Sequence, residues 1–252
     1  MPDLSIIIGH SNTDPTRLRN LLFTIKYYKQ HFIHSEIIVV EQNSVSDIRN
    51  MDVQHIVLNP SHSYSRSLGF NEGFKLASSN RILCVDNDCI IDLPTINAIN
   101  AMIKSSFFDT HDVVIPYRRV YDLSNTQTLK FIQTLTISGE LLRRTHNGKD
   151  ITNYGGAIII TRDAFIRIGG FDPQFIGWGG EDIAFIFKCF KLLSVYRVPD
   201  SYNMYHLDHN RVYKKSTNPE AEINRTESLR IKNMTKFQMT NYIKNLGIDH
   251  IT

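Results

Sequence analysis

The sequence predicts an α/β fold, a mostly parallel sheet with helices on both faces. Three observations predict it. Short apolar runs typical of buried strands alternate with helix-periodic stretches through the first half of the chain. One such run, Arg81–Val85, ends abruptly in Asp86-Asn87-Asp88, and open α/β sheets bind ligands at the carboxyl ends of their strands. At 252 residues the chain is long enough to bury a sizeable core without dividing.

Each element has its own signal. Leu4–Gly9 is a short apolar run and reads as the first strand. Asp14-Pro15 is a cap residue followed by proline at the first helical position. Leu18, Leu21, Leu22 and Ile25 then recur at helical spacing, so the helix should run to about Phe32. Glu36–Glu41 is the second strand and His55–Leu58 a weaker third. Tyr64–Ala77 reads as helix, Arg81–Val85 as strand, Pro94–Phe107 as helix and Val113–Tyr117 as strand.

The second half is less regular. Residues 118–152 are polar with weak periodicity, as in an excursion over an active site. Ala157–Thr161 is a buried strand, followed by a short helix Arg162–Ile168 closed by Gly169-Gly170. Phe171–Gly180 is a loop rich in glycine and aromatic residues. Ile183–Leu193 is a helix with Ile183, Ile186, Phe187, Phe190 and Leu193 on one face. The tail from Asp208 is polar and basic, and reads as a solvated helix or a partly ordered segment.

Composition excludes several classes. The net charge of +3 is too small to argue for nucleic acid. No apolar run approaches the ~18 residues of a membrane span. The start, MPDLSIIIGH, has no signal-peptide pattern. Cys84, Cys89 and Cys189 fit neither a zinc pattern nor a disulfide framework. Reduced thiols and a cytoplasmic setting are expected.

Three constellations carry chemistry. Asp86-Asn87-Asp88 offers two carboxylates two residues apart at a strand end, where they can hold Mg2+ or Mn2+, or simply form a polar turn. Gly177-Trp178-Gly179-Gly180-Glu181-Asp182 combines glycines that admit close approach, a tryptophan face for a sugar ring and two acids in a first helical turn. Those acids alone are also what helix N-termini favour. Tyr205-His206-Leu207-Asp208-His209 places two histidines where either can complete a metal site, or where both form a surface cluster.

Taken together, these strings resemble the glycosyltransferases of the GT-A fold. Asp86-Asn87-Asp88, Gly169-Gly170-Phe171-Asp172, Gly177-Trp178-Gly179-Gly180-Glu181-Asp182 and His206 occur in that order. The later strings resemble the galactosyltransferase-like module shared by β-1,4-galactosyltransferases and chondroitin-polymerase-type enzymes. The upstream part, including Tyr64-Ser65-Arg66-Ser67 and Asn71-Glu72-Gly73, is similar to glycosyltransferase family 2. The likeness runs from about Leu4 to His209, and its specific element is Trp178-Gly179-Gly180-Glu181-Asp182.

The resemblance implies a single domain. A nucleotide-binding half would cover about 1–117, an acceptor and catalytic half about 118–210, and a polar tail 211–252. It implies transfer of a hexose or N-acetylhexosamine from a UDP-sugar to a glycan or other hydroxyl acceptor, with inversion. Asp88 and His206 would hold Mn2+ or Mg2+. Asp86 or Asn87 would lie near ribose and diphosphate, Gly9, His10 and Ser11 would cradle the nucleotide, Glu41 and Gln42 would flank uracil, and Arg66 would face the nucleotide or diphosphate. Trp178 would line both donor and acceptor pockets. Gly180, Glu181 and Asp182 would meet the acceptor, with Asp182 as base. A lipid-linked acceptor would bring the enzyme to a membrane surface as a peripheral protein. Two alternatives remain at this stage. A non-catalytic glycan- or nucleotide-binding relative would be expected to lack Asp88, Asp182 or His206, all present here. A nucleotidyltransferase would need a glycine-rich basic loop after the first strand, and Gly9–Asp14 has one glycine and no lysine.

Overall fold

The computed structural model describes residues 1–49, 51–59, 64–146, 149–150, 154–177, 179–210, 220–247 and 251. Strand β1 (Leu4–His10) is followed by helix α1 (Pro15–His31), strands β2 (Ser35–Gln42) and β3 (Gln54–Leu58), and helix α2 (Arg66–Leu76). Strands β4 (Arg81–Asp86) and β5 (Cys89–Ile91) lead into α3 (Leu93–Ile103). Then come β6 (Val113–Ile115), β7 (Arg119–Asp122), α4 (Asn125–Thr134) and three two-residue strands, β8 (Leu142–Arg143), β9 (Thr145–His146) and β10 (Lys149–Asp150). The chain continues through β11 (Ala157–Thr161), α5 (Arg162–Arg167), α6 (Glu181–Leu192), β12 (Val195–Arg197), β13 (Asn203–His206), α7 (Ala221–Asn233) and α8 (Lys236–Leu246).

The main sheet has the order β12-β6-β11-β4-β1-β2-β3. It is parallel except for β11, which runs antiparallel to both β4 and β6. Helices flank it, as the alternating pattern predicts. Its central strands are runs of β-branched and apolar residues because they are covered on both faces. Ile6, Ile7, Ile8, Val39, Val40, Leu83, Cys84 and Val85 have no exposed surface. After β1 the chain adds β2 and β3 on one side, then returns to place β4 on the other. The β1–β4 seam is therefore a topological switch point, where such sheets open a crevice for ligands. The register sets Gly9 beside Asp86 and His10 beside Glu41, so three strands end in one row.

A second sheet, β5-β13-β7-β8, abuts this edge. Parallel pairing of β13 with β7 puts His206 opposite Asp122, and antiparallel pairing with β5 puts His206 opposite Cys89. Helix α1 fixes the intervening turn from beneath. Thr24 Oγ1 donates to the Asn87 carbonyl, Tyr28 Oη to that of Cys89 and Tyr27 Oη to that of Ile91, each at 2.9 Å. Helix starts are set by local caps: Asp14 accepts from the Thr16 amide, Ser65 from Leu68 and Asp92 from Thr95.

The 118–152 stretch is more ordered than its weak periodicity suggests. Its described part contains β7 and α4, the latter opened by a reciprocal Ser124–Gln127 capping box. The C-terminal residues form α7 and α8, which pack on α6. Ile231 and Met239 are fully buried there. Tyr242 donates to Asp172, and Asn224 Nδ2 donates to the Ile176 carbonyl at 2.8 Å. All three cysteines are free and buried. Among the described residues no helix is long and apolar enough to cross a membrane.

Candidate active site

The site gathers at the strand ends, in three parts. The first is a buried polar unit at the tips of β1 and β2. His10 has no exposed surface. Its Nδ1 takes a hydrogen bond from Asn87 Nδ2 at 2.7 Å, and its Nε2 lies 3.3 Å from Asp47 Oδ2. Burial holds the imidazole below its ordinary pKa, against the opposing pull of Asp47. Glu41 accepts from the Asp47 amide at 2.8 Å and from Ser46 Oγ at 2.6 Å. Gln42 pairs both ways with the Ser65 backbone, donating at 2.7 Å and accepting at 2.9 Å. Ser11 Oγ donates to the Gln42 carbonyl at 3.4 Å. Of the sequence-predicted residues, His10, Glu41 and Asn87 are linked through Asp47, Ser11 and Gln42 form a second set with Ser65, and Gly9 lies beside Asp86 in the strand register.

The second part surrounds Asp88, whose carboxylate is only 7% exposed. His206 Nε2 lies 3.7 Å from its Oδ1, and His209 Nε2 lies 3.2 Å from its Oδ2. The ligating atoms of all three fall within 4.8 Å of one another. Arg17 Nη1 stands 3.7 Å from Asp88 Oδ2, and its buried Nε has no hydrogen-bond partner among the described residues. Burial would raise the Asp88 pKa, but His206, His209 and Arg17 outweigh it and hold the carboxyl below its ordinary value. A cavity of about 620 Å³ opens beside His206 and His209, walled by Asp122, Ser124, Gln127 and Glu140. Such a pocket has room for a sugar.

The third part joins β4 to α6 through Arg66. Its Nε donates to Asp86 Oδ1 at 2.6 Å, its Nη1 lies 3.5 Å from Glu181 Oε1, and its Nη2 donates to the Gly155 carbonyl. Arg66, expected to face a nucleotide or diphosphate, faces two carboxylates. Burial pushes Asp86 up to about 6, with Arg66 opposing. Burial and the neighbouring Asp182 charge push Glu181 up to about 7, again against Arg66. Helix α6 begins at Gly180, with φ 91°, where a side chain would strike the Asn224 carbonyl at 2.7 Å. That sharp entry presents Glu181 and Asp182 in the first turn. Asp182 Oδ1 accepts from the Ile183 amide at 2.8 Å. Two ties hold the preceding loop to α2: Ser65 Oγ donates to the Phe175 carbonyl at 2.9 Å, and the Gly177 amide to that of Tyr64 at 3.0 Å. Trp178, expected to line both pockets, lies outside the described residues.

Residues 5–217 match the family described as glycosyltransferase-like family 2. The chain belongs to that family. No curated protein sequence matches this glycosyltransferase. Similar solved structures include GalNAc-T7 with UDP, GalNAc and Mn2+, at 14% identity and TM-score 0.61, covering 99% of this chain and 54% of that one. The glycosyltransferase therefore spans about half the length of the GalNAc-T7 chain. S. aureus TarS 1–349 is similar at 14% identity and TM-score 0.55, covering 98% and 70% of the two chains. The catalytic domain of Drosophila β1,4-galactosyltransferase 7 with xylobiose gives 17% identity and TM-score 0.51, covering 88% and 79%. At these identities the likeness is one of GT-A fold.

Sequence reasoning missed Arg17, beside Asp88, and the pair of Asp122, whose Oδ1 lies 3.2 Å from His206 Nδ1, and Arg144, whose Nε donates to Asp122 Oδ2 at 2.9 Å. Asp122 sits in a stretch without periodicity, and Arg144 reaches it only through the small sheet. Arg17 carried a faint signal: α1 has no acid in its first turn, and a cation there opposes the helix dipole.

Proposed function

We propose that the enzyme is a metal-dependent, inverting glycosyltransferase. It transfers a hexose or N-acetylhexosamine from a UDP-sugar to a hydroxyl of a glycan or glycoconjugate. The observation that carries this reading is the arrangement at the switch point. Asp88 and His206 converge on one side of the β4 tip, while Glu181 and Asp182 open a helix linked to the same tip through Arg66. The solved complexes of GalNAc-T7 with UDP and Mn2+, and of Drosophila β1,4-galactosyltransferase 7 with manganese, UDP-Gal and xylobiose, support the choice of donor and metal.

The residues divide the work by charge. Asp88 and His206 fit a divalent ion, because a carboxylate oxygen and an imidazole nitrogen face each other in a buried place. Such an ion, when bound, supplies Lewis-acid stabilisation to a leaving diphosphate. Gly9, His10, Ser11, Glu41, Gln42 and Asn87, at the tips of β1, β2 and β4, receive the nucleoside. Asp86, held by Arg66, borders the diphosphate. Gly180 and Glu181 border the acceptor. Asp182 takes the proton of the acceptor hydroxyl as that oxygen attacks the anomeric carbon, opposite the leaving UDP. A single displacement inverts the anomeric centre. Placing both sugars in line supplies much of the rate.

The test is calorimetric binding of UDP, GDP and dTDP in Mn2+ and in EDTA, followed by a UDP-sugar screen with wild type and Asp182→Asn. Metal-dependent binding selective for UDP, with transfer lost in Asp182→Asn and UDP affinity retained, is the expected result. Wild-type turnover in Asp182→Asn would remove Asp182 from the role of base.

A further inference from the structure

Two arginines stand together on the sheet edge that carries the site. Strand β12 is parallel to β6, and both run with β4, because β11 is antiparallel to β4 and to β6. Their carboxyl ends therefore open on the same side as Asp86, where ligands gather in such sheets. Arg197 ends β12, and Arg118 lies just beyond β6.

Their charges are unequally answered. Arg118 Nε lies 2.8 Å from Asp200 Oδ1. Arg197 makes no ion pair among the described residues. Its Nε and Nη2 reach the neutral carbonyls of Tyr117 and Arg118, both at 3.5 Å, the outer limit of a hydrogen bond. Burial, with Arg118 adding to it, holds this guanidinium below its ordinary pKa. A partly desolvated cation beside a second cation gains from a nearby anion. The Arg197 Cζ lies over the Tyr154 ring, 5.4 Å from its centre, and Phe190 meets that ring edge-on at 5.4 Å. A guanidinium held over a ring keeps its in-plane N–H fork available, and that fork matches a carboxylate or a phosphate.

One step of the chain connects this place to Asp182. Tyr154 lies under Arg197. The next residue, Gly155, is so close to Asp182 that a methyl group on it would meet Oδ2 at 2.5 Å. The fully buried Tyr117 runs between the same two points: its carbonyl faces Arg197, and its hydroxyl accepts from the Gly156 amide at 3.2 Å. An extended acceptor with its hydroxyl at Asp182 can lay a neighbouring unit along Tyr154 and reach Arg197.

We propose that Arg197, stacked on Tyr154 and backed by Arg118, is an anion subsite for the acceptor, which carries a phosphate or carboxylate group on a unit neighbouring the hydroxyl that reacts. This rests on the reading of Asp182 as the base, and it adds a substrate class to that reading.

The experiment follows the arginine Nε–Hε NMR resonances of the 15N-labelled full chain while inorganic phosphate, glucuronate or glucose is added at constant ionic strength. The Arg197 resonance, assigned by its loss in Arg197→Gln, should move saturably with phosphate or glucuronate and stay still with glucose. The anion that binds more tightly tells a phosphate-bearing acceptor from a uronate-bearing one. Transfer from a UDP-sugar is then compared on methyl glycosides, their uronates and their 6-phosphates. The anionic acceptors should have the lower KM. Arg197→Gln should raise that KM about tenfold, the loss of one charge-assisted contact, and leave UDP affinity unchanged. Arg197→Lys, which keeps the charge but not the fork, should recover part of the loss. Arg167→Gln is the unaffected control, since Arg167 pairs with Asp112 at the opposite end of β6. An Arg197 resonance that ignores both anions would overturn the proposal. So would transfer whose acceptor KM is indifferent to the anion and to Arg197→Gln, an outcome that leaves the glycosyltransferase standing. Saturable anion binding at Arg197 in a protein that binds no UDP would keep the anion site and sink the glycosyl-transfer reading.

Discussion

Arg66 Nε lies 2.6 Å from Asp86 Oδ1, and the same guanidinium is 3.5 Å from Glu181. One cation thereby joins the end of strand β4 to the helix that delivers the proposed base. Only 11% of the Arg66 side chain is exposed. Removing it leaves the mostly buried Glu181 and the partly exposed Asp86 without their counter-charge. Arg66→Met should destabilise the fold by about 3 kcal/mol, the low end of the cost of breaking a buried pair from one side, because Asp86 keeps part of its solvation. Urea unfolding at neutral pH checks this, and a midpoint equal to that of wild type would show the pair to be inert.

Glu181 gives a pH signature. Its pKa rises from 4.5 to about 7 in the folded protein because burial and the Asp182 charge outweigh Arg66. A carboxyl with a raised folded-state pKa holds its proton in the native state after the unfolded chain has released it. Stability from this group is therefore present at low pH and falls as pH rises between about 4.5 and 7. Glu181→Gln should flatten that part of the metal-free stability profile. The substitution should be more favourable, relative to wild type, at pH 8 than at pH 5. Parallel profiles for the two proteins would refute the assignment.

Gly155 sets the room around the proposed base. A methyl group there would lie 2.5 Å from Asp182 Oδ2, so Gly155→Ala must push the carboxylate aside. A displacement near 1 Å costs on the order of 100-fold in rate. Turnover should fall by about that factor while metal-dependent UDP affinity stays within about twofold, because donor and base stand on different elements. Initial rates and calorimetry together decide it; unchanged turnover would mean that the geometry of Asp182 is not critical.

Asn224 braces the loop that leads into α6. Asn224→Ala removes the donor to the Ile176 carbonyl and should cost about 1 kcal/mol of stability. Its functional cost should fall on the acceptor, raising the acceptor KM more than the donor KM. An effect on the donor alone would place this loop on the other side of the reaction.

How much of this was legible depended on length and periodicity. Strands β1, β2 and β4 announce themselves because their central residues are buried on both faces, leaving unbroken apolar runs. Strands β5, β12 and β13 have three or four residues, too few to show a period. Helix α6 opens with Glu181 and Asp182 in its first turn, as the sequence predicts, although Gly180 turns the chain there without any side-chain cap to mark the boundary. The acidic and histidine strings stood out in sequence. The Asp122–Arg144 clamp did not, since only the pairing of β7 with β8 and β13 assembles it.

The brace at Asn224 has a consequence for biosynthesis. It reaches 48 residues back along the chain to Ile176. The loop before α6 gains this support only when α7 has been made. A ribosome-bound chain that has already emerged through Glu181 and Asp182 therefore still lacks the brace behind them.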